Sequence, residues 1–276
     1  MTDKLRQVTA IVFDWAGTTV DQGSLAPTIA FQEVFRTRNV EITAAQAREP
    51  MGRAKRDHIA AILAMPMVAA AWRAAHGRPY EEADIDALYK EFLPIQERVL
   101  KEHSDVITGV PQAVETCRRM GLKIGSTTGY TRDLMKIVSA SAGQQGYKPD
   151  CVVCADDVPR GRPAPYLLYQ AAMQLDAYPL WTMVAVDDTP VGIEAGRQAG
   201  CWTVGVTLAG NGVGLSLEEI NALPVDRQRR LCDQAAERLR SAGAHYTIES
   251  AADIVPLVVD VERRLRDGES PLRWPE

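Results

Sequence analysis

The chain has 276 residues, 46% hydrophobic and 24% charged, with 31 Lys and Arg against 36 Asp and Glu for a formal net charge of −5. That composition excludes disordered and fibrous classes, because the apolar mass is ample for a core. A net acidic chain has no global field to draw in nucleic acid or an anionic bilayer, so neither partner is expected, and any anionic ligand must be held by local groups.

The first fifteen residues, MTDKLRQVTAIVFDW, show no signal-peptide pattern, and no stretch approaches the ~18 apolar residues that span a membrane. Residues 8–14 read as a strand ending in Asp14. From 22 to 103 no convincing strand occurs. AAILAMPMVAAAWRAA and ADIDALYKEFLPIQERVLKEH have helical spacing there, which Pro66 and Pro94 are expected to interrupt. Near-continuous apolar runs at 122–127, 151–155, 182–188 and 202–208 then read as parallel strands buried on both faces. Helices are expected at 112–120, 132–142, 164–174 and 191–199. Pro111, Pro163 and Pro190 lie at or near their first turns, and Gly121, Gly143 and Gly200 just past their ends. A helix at 225–241, a strand at 245–248 and a helix at 251–266 follow. This alternation predicts an α/β fold, a doubly wound parallel sheet with ligands at the carboxyl ends of its strands. Residues 1–21 and 104–276 are expected to form that core, and 22–103 an inserted all-helical domain.

Three polar signals fall at predicted strand ends. VFDWAGTT puts the Asp14 carboxylate where the first strand stops. GSTTGY, residues 125–130, offers hydroxyls and small residues that can present donors to a phosphate. VAVDDT ends a strand in Asp187 and Asp188, like charges that are costly side by side unless a cation lies between them. Singly, each has an ordinary explanation as a cap or turn. Together they specify a nucleophilic carboxylate, a phosphate grip and a Mg2+ site of hard oxygen ligands. No GxxxxGK[ST] follows any strand, which excludes a Walker-type loop. The five cysteines (Cys117, Cys151, Cys154, Cys201 and Cys232) form no regular framework, so a reducing cytoplasm is the expected setting. Cys151 and Cys154 have CxxC spacing, but on a strand they face opposite sides, and no second pair completes a zinc site. The basic run at 227–230 lacks interleaved aromatics and reads as solvated helix face.

DWAGTTVD, GSTTGYT, DDVPRGRPAP and VDDTP resemble the four motifs of the haloacid dehalogenase superfamily of aspartyl-nucleophile phosphotransferases. Over nearly the whole chain the sequence is similar to the phosphonatase family within it. The resemblance implies a Rossmann-like core with a helical cap and a homodimer formed through that cap. It implies Mg2+ held by Asp14, the Ala16 carbonyl and Asp188, with Asp187 nearby. The implied substrate is phosphonoacetaldehyde, cleaved to acetaldehyde and phosphate in 2-aminoethylphosphonate degradation. Thr128, Gly129, Gly52 and Arg162 are implied to bind phosphate or substrate.

Ala16 is the discriminating residue. Superfamily phosphatases usually carry a second Asp there, as acid and base for an oxygen leaving group, and an Ala side chain moves no proton. Lys55, in PMGRAKRDH, is by composition one more solvated helix lysine. By resemblance it is the phosphonatase lysine that forms a Schiff base. A protonated imine accepts the electron pair as the P–C bond breaks, so it replaces the missing acid. The amine must be neutral to attack. Its pKa is therefore expected to be depressed by an apolar site or nearby cations, Arg53 and Arg56 being its neighbours in sequence. His58 shares a helix face with Lys55 if the segment is helical, and with Met51 and Tyr130 is implied to manage protons and order water.

Two positions depart from the family pattern. Related sequences often have another Asp four residues beyond Asp188, where this chain has Gly192, leaving Asp187 as the nearest outer-shell charge. Ser24 stands near a position where family members can place Cys. Two alternatives remain at this stage. One is a Mg2+-dependent phosphomonoesterase of the same superfamily, for which Lys55 is dispensable. The other is a non-catalytic phosphoacceptor of the receiver type, although such modules are much shorter and lack a lysine-bearing helical insertion.

Overall fold

Six short strands pair in parallel in the computed structural model, which describes residues 7–272. They are β1 (Ala10–Phe13), β2 (Lys123–Thr127), β3 (Cys151–Val153), β4 (Met183–Asp187), β5 (Trp202–Val206) and β6 (Tyr246–Ile248). The order β3-β2-β1-β4-β5-β6 makes the chain wind outwards from β1 in one direction, then return and wind outwards in the other. The direction reverses between β1 and β4, where Phe13 pairs with Val186. A crevice forms at such a switch point, outside the carboxyl ends of the strands. The fold is the expected doubly wound α/β type.

Between β1 and β2 the chain forms α1 (Leu25–Arg36), α2 (Ala44–Arg48), α3 (Lys55–Leu63), α4 (Pro66–His76) and α5 (Glu82–Leu100). These helices share an apolar cluster of their own, including Phe31, Val34, Phe35, Ile59, Ile62, Trp72, Leu88 and Phe92. Phe31 is stacked on Phe92 at 4.5 Å and on His58 at 3.8 Å between ring centroids. Deleting a buried ring of this kind costs about 3–5 kcal/mol, so Phe31 ties the packing of the insertion to the position of His58. At the entry to α1, the Asp21 carboxylate accepts from the N–H groups of Leu25 (3.1 Å) and Ala26 (3.0 Å), satisfying donors that a helix start leaves open.

The remaining helices are α6 (Val110–Arg119), α7 (Arg132–Gln144), α8 (Tyr166–Leu175), α9 (Pro190–Ala199), α10 (Leu217–Asn221), α11 (Val225–Ser241) and α12 (Ile254–Arg266). Side-chain alternation along the strands feeds two separate cores. Ile11, Phe13, Ile124, Val184 and Val204 pack with α6, α7 and α12, while Ala10, Val12, Val153 and Ala185 pack with α8 and α9. Cys154 belongs to the first cluster and Cys151 to the second, and all five cysteines are free. No single helix among the described residues is long and apolar enough to cross a membrane.

Three local expectations need correction. Pro66 does begin a new helix, but Pro94 sits inside α5 without ending it. Pro94 and Lys90, whose carbonyl the missing N–H would have served, are both exposed, so water satisfies that oxygen while buried Phe92 and Val99 hold the helix to its neighbours. Gly143 lies within α7, and the left-handed residue that closes the turn is Gly146 (φ 89°). Pro163 stands three residues ahead of α8 instead of in its first turn.

Candidate active site

β1 delivers Asp14 just past the sheet edge, its N–H still bonded to Val186 O at 2.9 Å. β4 delivers Asp187 and Asp188 beside it. All three carboxylates are buried, and one oxygen of each lies within 4.8 Å of the others. Arg162, on the loop before α8, answers this charge. Its Nη1 is 2.7 Å from Asp14 Oδ1 and 3.2 Å from Asp187 Oδ2, and its Nη2 donates to Thr127 Oγ1 at 2.8 Å. Burial pushes Asp14 up to about 6 against the pull of Arg162. Burial, reinforced by Asp187 and Asp14, holds Asp188 well above the ordinary carboxylate range. Three crowded buried carboxylates form a hard-oxygen donor set that fits a magnesium-type cation. Ala16 lines the same cavity as Asp14.

The exchange at Gly192 has a steric basis. A Cβ at that position would fall 2.0 Å from Asp187 Cγ, because the Asp187 carboxylate already fills the space. Thr189 holds it there, donating from its N–H (2.9 Å) and Oγ1 (2.7 Å) to Asp187 Oδ1. A carboxylate from β4 thus occupies the volume that an Asp on α9 would need.

The opposite wall comes from the helical insertion and the loop after β2. Lys55 opens α3 and His58 follows one turn on, both buried. Lys55 Nζ lies over the Tyr130 ring at 4.6 Å and the Phe31 ring at 5.5 Å from the centroids. Burial lowers its pKa to about 8, with Asp14 and Asp21 opposing the shift and Arg162 adding to it. Its place in the first turn of a helix, at the positive end of the dipole, acts in the same direction. The sequence neighbours do not contribute: Arg53 is exposed, and Arg56 turns outward onto Glu82 and Asp86, each at 2.7 Å. His58 Nε2 is 2.8 Å from Ala47 O, and a carbonyl only accepts, which assigns the proton to Nε2. Nδ1 is therefore a buried acceptor without a hydrogen-bond partner among the described residues. Burial and the nearby Lys55 hold this imidazole neutral. The buried Tyr130 hydroxyl likewise has no hydrogen-bond partner among the described residues, and burial keeps it protonated.

Gly52 lets the two walls meet. Its φ is +91°, and a Cβ there would fall 2.4 Å from Thr189 Oγ1. The resulting chamber has a volume of about 20 Å³ and is lined by Asp14, Ala16, Met51, Gly52, Lys55, Thr128, Gly129, Tyr130 and Arg162, together with Ser24, Pro27 and Thr189. A water needs roughly 10–15 Å³, so the chamber has room for about one water. His58, Asp187 and Asp188 are buried but are not part of this lining.

Several residues escaped the sequence reading. Asn211 donates its N–H to Asp188 Oδ2 at 2.7 Å, and Thr18 Oγ1 donates to Asp188 Oδ1 at 3.4 Å. Asn211 follows β5, another strand end, but AGNG carries no charge to draw attention. Asp21 is buried next to the site, and burial pushes its pKa up to about 7.

Residues 8–200 match the haloacid dehalogenase-like hydrolase family. Phosphonoacetaldehyde hydrolase of Paraburkholderia phytofirmans is 46% identical over 267 residues, covering 97% of this chain and 100% of that one. Its namesake in Bacillus cereus strain G9842 is 43% identical over 258 residues, covering 94% and 98%. Among solved structures, a phosphonoacetaldehyde hydrolase-like protein from Oleispira antarctica superposes with a TM-score of 0.94 at 44% identity, over 96% of each chain. A β-phosphoglucomutase from Clostridium difficile shares the fold at TM-score 0.69 and 15% identity, over 95% of this chain and 100% of that one. Full-length kinship with named hydrolases sets aside a non-catalytic phosphoacceptor: the chain is a hydrolase and belongs to the phosphonoacetaldehyde hydrolase family of the haloacid dehalogenase-like hydrolases.

Proposed function

We propose that this enzyme hydrolyses the carbon–phosphorus bond of phosphonoacetaldehyde, through a Schiff base on Lys55 and a phosphoryl group carried on Asp14. The observation that carries the reading is a single chamber in which a carboxylate nucleophile and a buried amine of lowered basicity share the lining, with Ala16 where an oxygen leaving group requires an acid. Residues 1–21 and 104–276 act as the core and 22–103 as a cap that opens to admit substrate and closes to exclude water. The names of the relatives supply the substrate.

Neutral Lys55 adds to the aldehyde carbon, and protonation of the carbinolamine hydroxyl with loss of water leaves a protonated imine. The acceptor Nδ1 of His58 and the Tyr130 hydroxyl serve the proton transfers of that dehydration. An Asp14 oxygen then attacks phosphorus as the P–C bond breaks, and the electron pair of that bond moves into the C=N+ system to give an enamine. Arg162 pairs with Asp14 and faces the phosphoryl oxygens, while Thr128, Gly129 and Gly52 border them. Protonation of the enamine carbon and hydrolysis of the imine release acetaldehyde and Lys55. Water releases phosphate from Asp14. Asp14, Asp188 and the Ala16 carbonyl, with Asp187 beside them, would hold Mg2+, which would supply neutralisation of the charge that phosphoryl transfer builds up at the strand ends.

Borohydride trapping tests this directly. Wild-type protein treated with phosphonoacetaldehyde and borohydride should carry a covalent adduct on the Lys55 peptide. Asp14→Asn should lose turnover yet still be trapped, its adduct retaining the phosphonate. An unmodified Lys55 peptide in protein that still turns over, or undiminished turnover by Asp14→Asn, would sink the scheme.

A further inference from the structure

Cap and core also meet outside the chamber, at Arg48 on α2. Its Nη1 donates to Gly23 O at 2.6 Å, in the segment leading from core to cap, and to Asn211 Oδ1 at 3.3 Å. Its Nη2 donates to Gly214 O at 2.9 Å. Asn211 answers in the other direction, Nδ2 donating to Arg48 O at 3.2 Å, while its own N–H is the one that holds Asp188. A Cβ at Gly214 would fall 2.6 Å from Arg48 Cζ, so the guanidinium lies against a position that only glycine leaves free. Ala47, the residue before Arg48, is the one whose carbonyl fixes the His58 tautomer. One short helix therefore reaches Asp188 through Asn211 and His58 through Ala47. The seam beside it is not packed solid: a cavity of about 530 Å³ runs along it, with Arg48, Glu49, Asn211 and Asp188 in its lining. Hydrogen bonds fasten this edge where apolar packing does not.

We infer that Arg48 is a positioning residue, a latch that holds the cap on the core and, with Asn211, brings His58 and Asp188 into register on closure. The inference rests on the two-part phosphonoacetaldehyde hydrolase proposed above. Lifting the cap strips the guanidinium of its two core acceptors, Asn211 Oδ1 and Gly214 O, at once, and charge-assisted bonds of this type shift an equilibrium by roughly ten- to a hundredfold.

Arg48→Met keeps side-chain length and helix propensity while removing the donors. In the full chain with Mg2+, kcat/KM for phosphonoacetaldehyde should fall roughly ten- to a hundredfold, with the thermal midpoint unchanged. Asn211→Ala should show the same loss. The double variant should be no worse than the weaker single variant, because the two side chains act as one contact. Arg48→Lys should recover part of the activity. Unchanged kcat/KM in both single variants, losses that multiply in the double variant, or a thermal midpoint that falls in step with activity would overturn the latch. If Arg48→Met does not fold, Asn211→Ala decides on the same readouts. Wild-type protein that neither cleaves phosphonoacetaldehyde nor is trapped by it would overturn the function beneath the latch instead.

Discussion

On the sheet side of the chamber, Asp14, Asp187 and Arg162 stand 2.7 and 3.2 Å apart as a buried ion cluster. On the helical side, Lys55 Nζ lies over the Phe31 and Tyr130 rings and His58 against Phe31, and among the described residues neither His58 Nδ1 nor the Tyr130 hydroxyl has a hydrogen-bond partner. One wall compensates charge and the other suppresses it. The proposed reaction needs both: phosphoryl transfer concentrates charge at the strand ends, whereas imine formation requires an amine without its proton. A chamber with the same environment on both sides would serve one half-reaction and impede the other.

Removing Lys55 gives the largest effect. Lys55→Met should reduce turnover on the order of 10⁴-fold, as for a member of a catalytic unit, and should also stabilise the fold. The folded pKa of about 8 lies below the ordinary 10.5. Between those values the unfolded chain keeps a proton that the folded chain has shed, so folded stability rises with pH across that window. Below pH 8 the buried charge carries its full penalty. Exchanging it for Met should therefore raise the unfolding free energy by about 3 kcal/mol at pH 7, and the gain should fade by about pH 10.5. Urea titrations at both pH values check this. Equal stability of the two proteins at pH 7, or a gain that survives above about pH 11, would show that the helical wall does not suppress charge as described.

The sheet wall is sharpened by Gly192. Gly192→Asp should displace the Asp187 carboxylate from the volume they compete for, raising the Mg2+ concentration for half-maximal activity roughly 10–100-fold, the usual scale for disturbing groups around a metal site. Adding Asp187→Gly should restore much of the loss by returning the space. Undisturbed Mg2+ dependence in the Gly192→Asp protein would show that the two positions are independent after all.

What could be read without coordinates divides along the same two walls. Asp14 and Asp188 were legible because a charge that ends an apolar strand has few uses, and the sheet topology brings such ends together. Lys55 was legible only through resemblance, since its place in one lining with Asp14 depends on how five helices pack. The competition between Asp187 and Gly192 is a matter of volume, which spacing does not encode. Arg48 and Asn211, 163 residues apart, meet only in the folded chain and carry no motif. Pro94 misled because sequence does not say that the carbonyl it leaves unpaired faces water.

The smallest effect expected is at the seam itself, and it tests whether the two environments depend on each other. Gly52 has φ +91°, and a Cβ there would fall 2.4 Å from Thr189 Oγ1. Gly52→Ala adds the left-handed penalty of an L-residue, about 1–2 kcal/mol, together with a contact that the Thr189 side chain must yield to. Closure should weaken by a factor of about 5–30. Lys55 then spends more time in water, away from the burial that lowers its pKa and from Asp14, Arg162 and Asp21, which now face it. The limb of the pH–rate profile that reports amine deprotonation should accordingly move from about 8 toward 10.5, and the plateau above it should lose less than the rate at pH 7. A plateau that falls while the limb stays in place would mean that the helical wall keeps Lys55 neutral without the sheet, and that Gly52 serves only to seat the phosphonate.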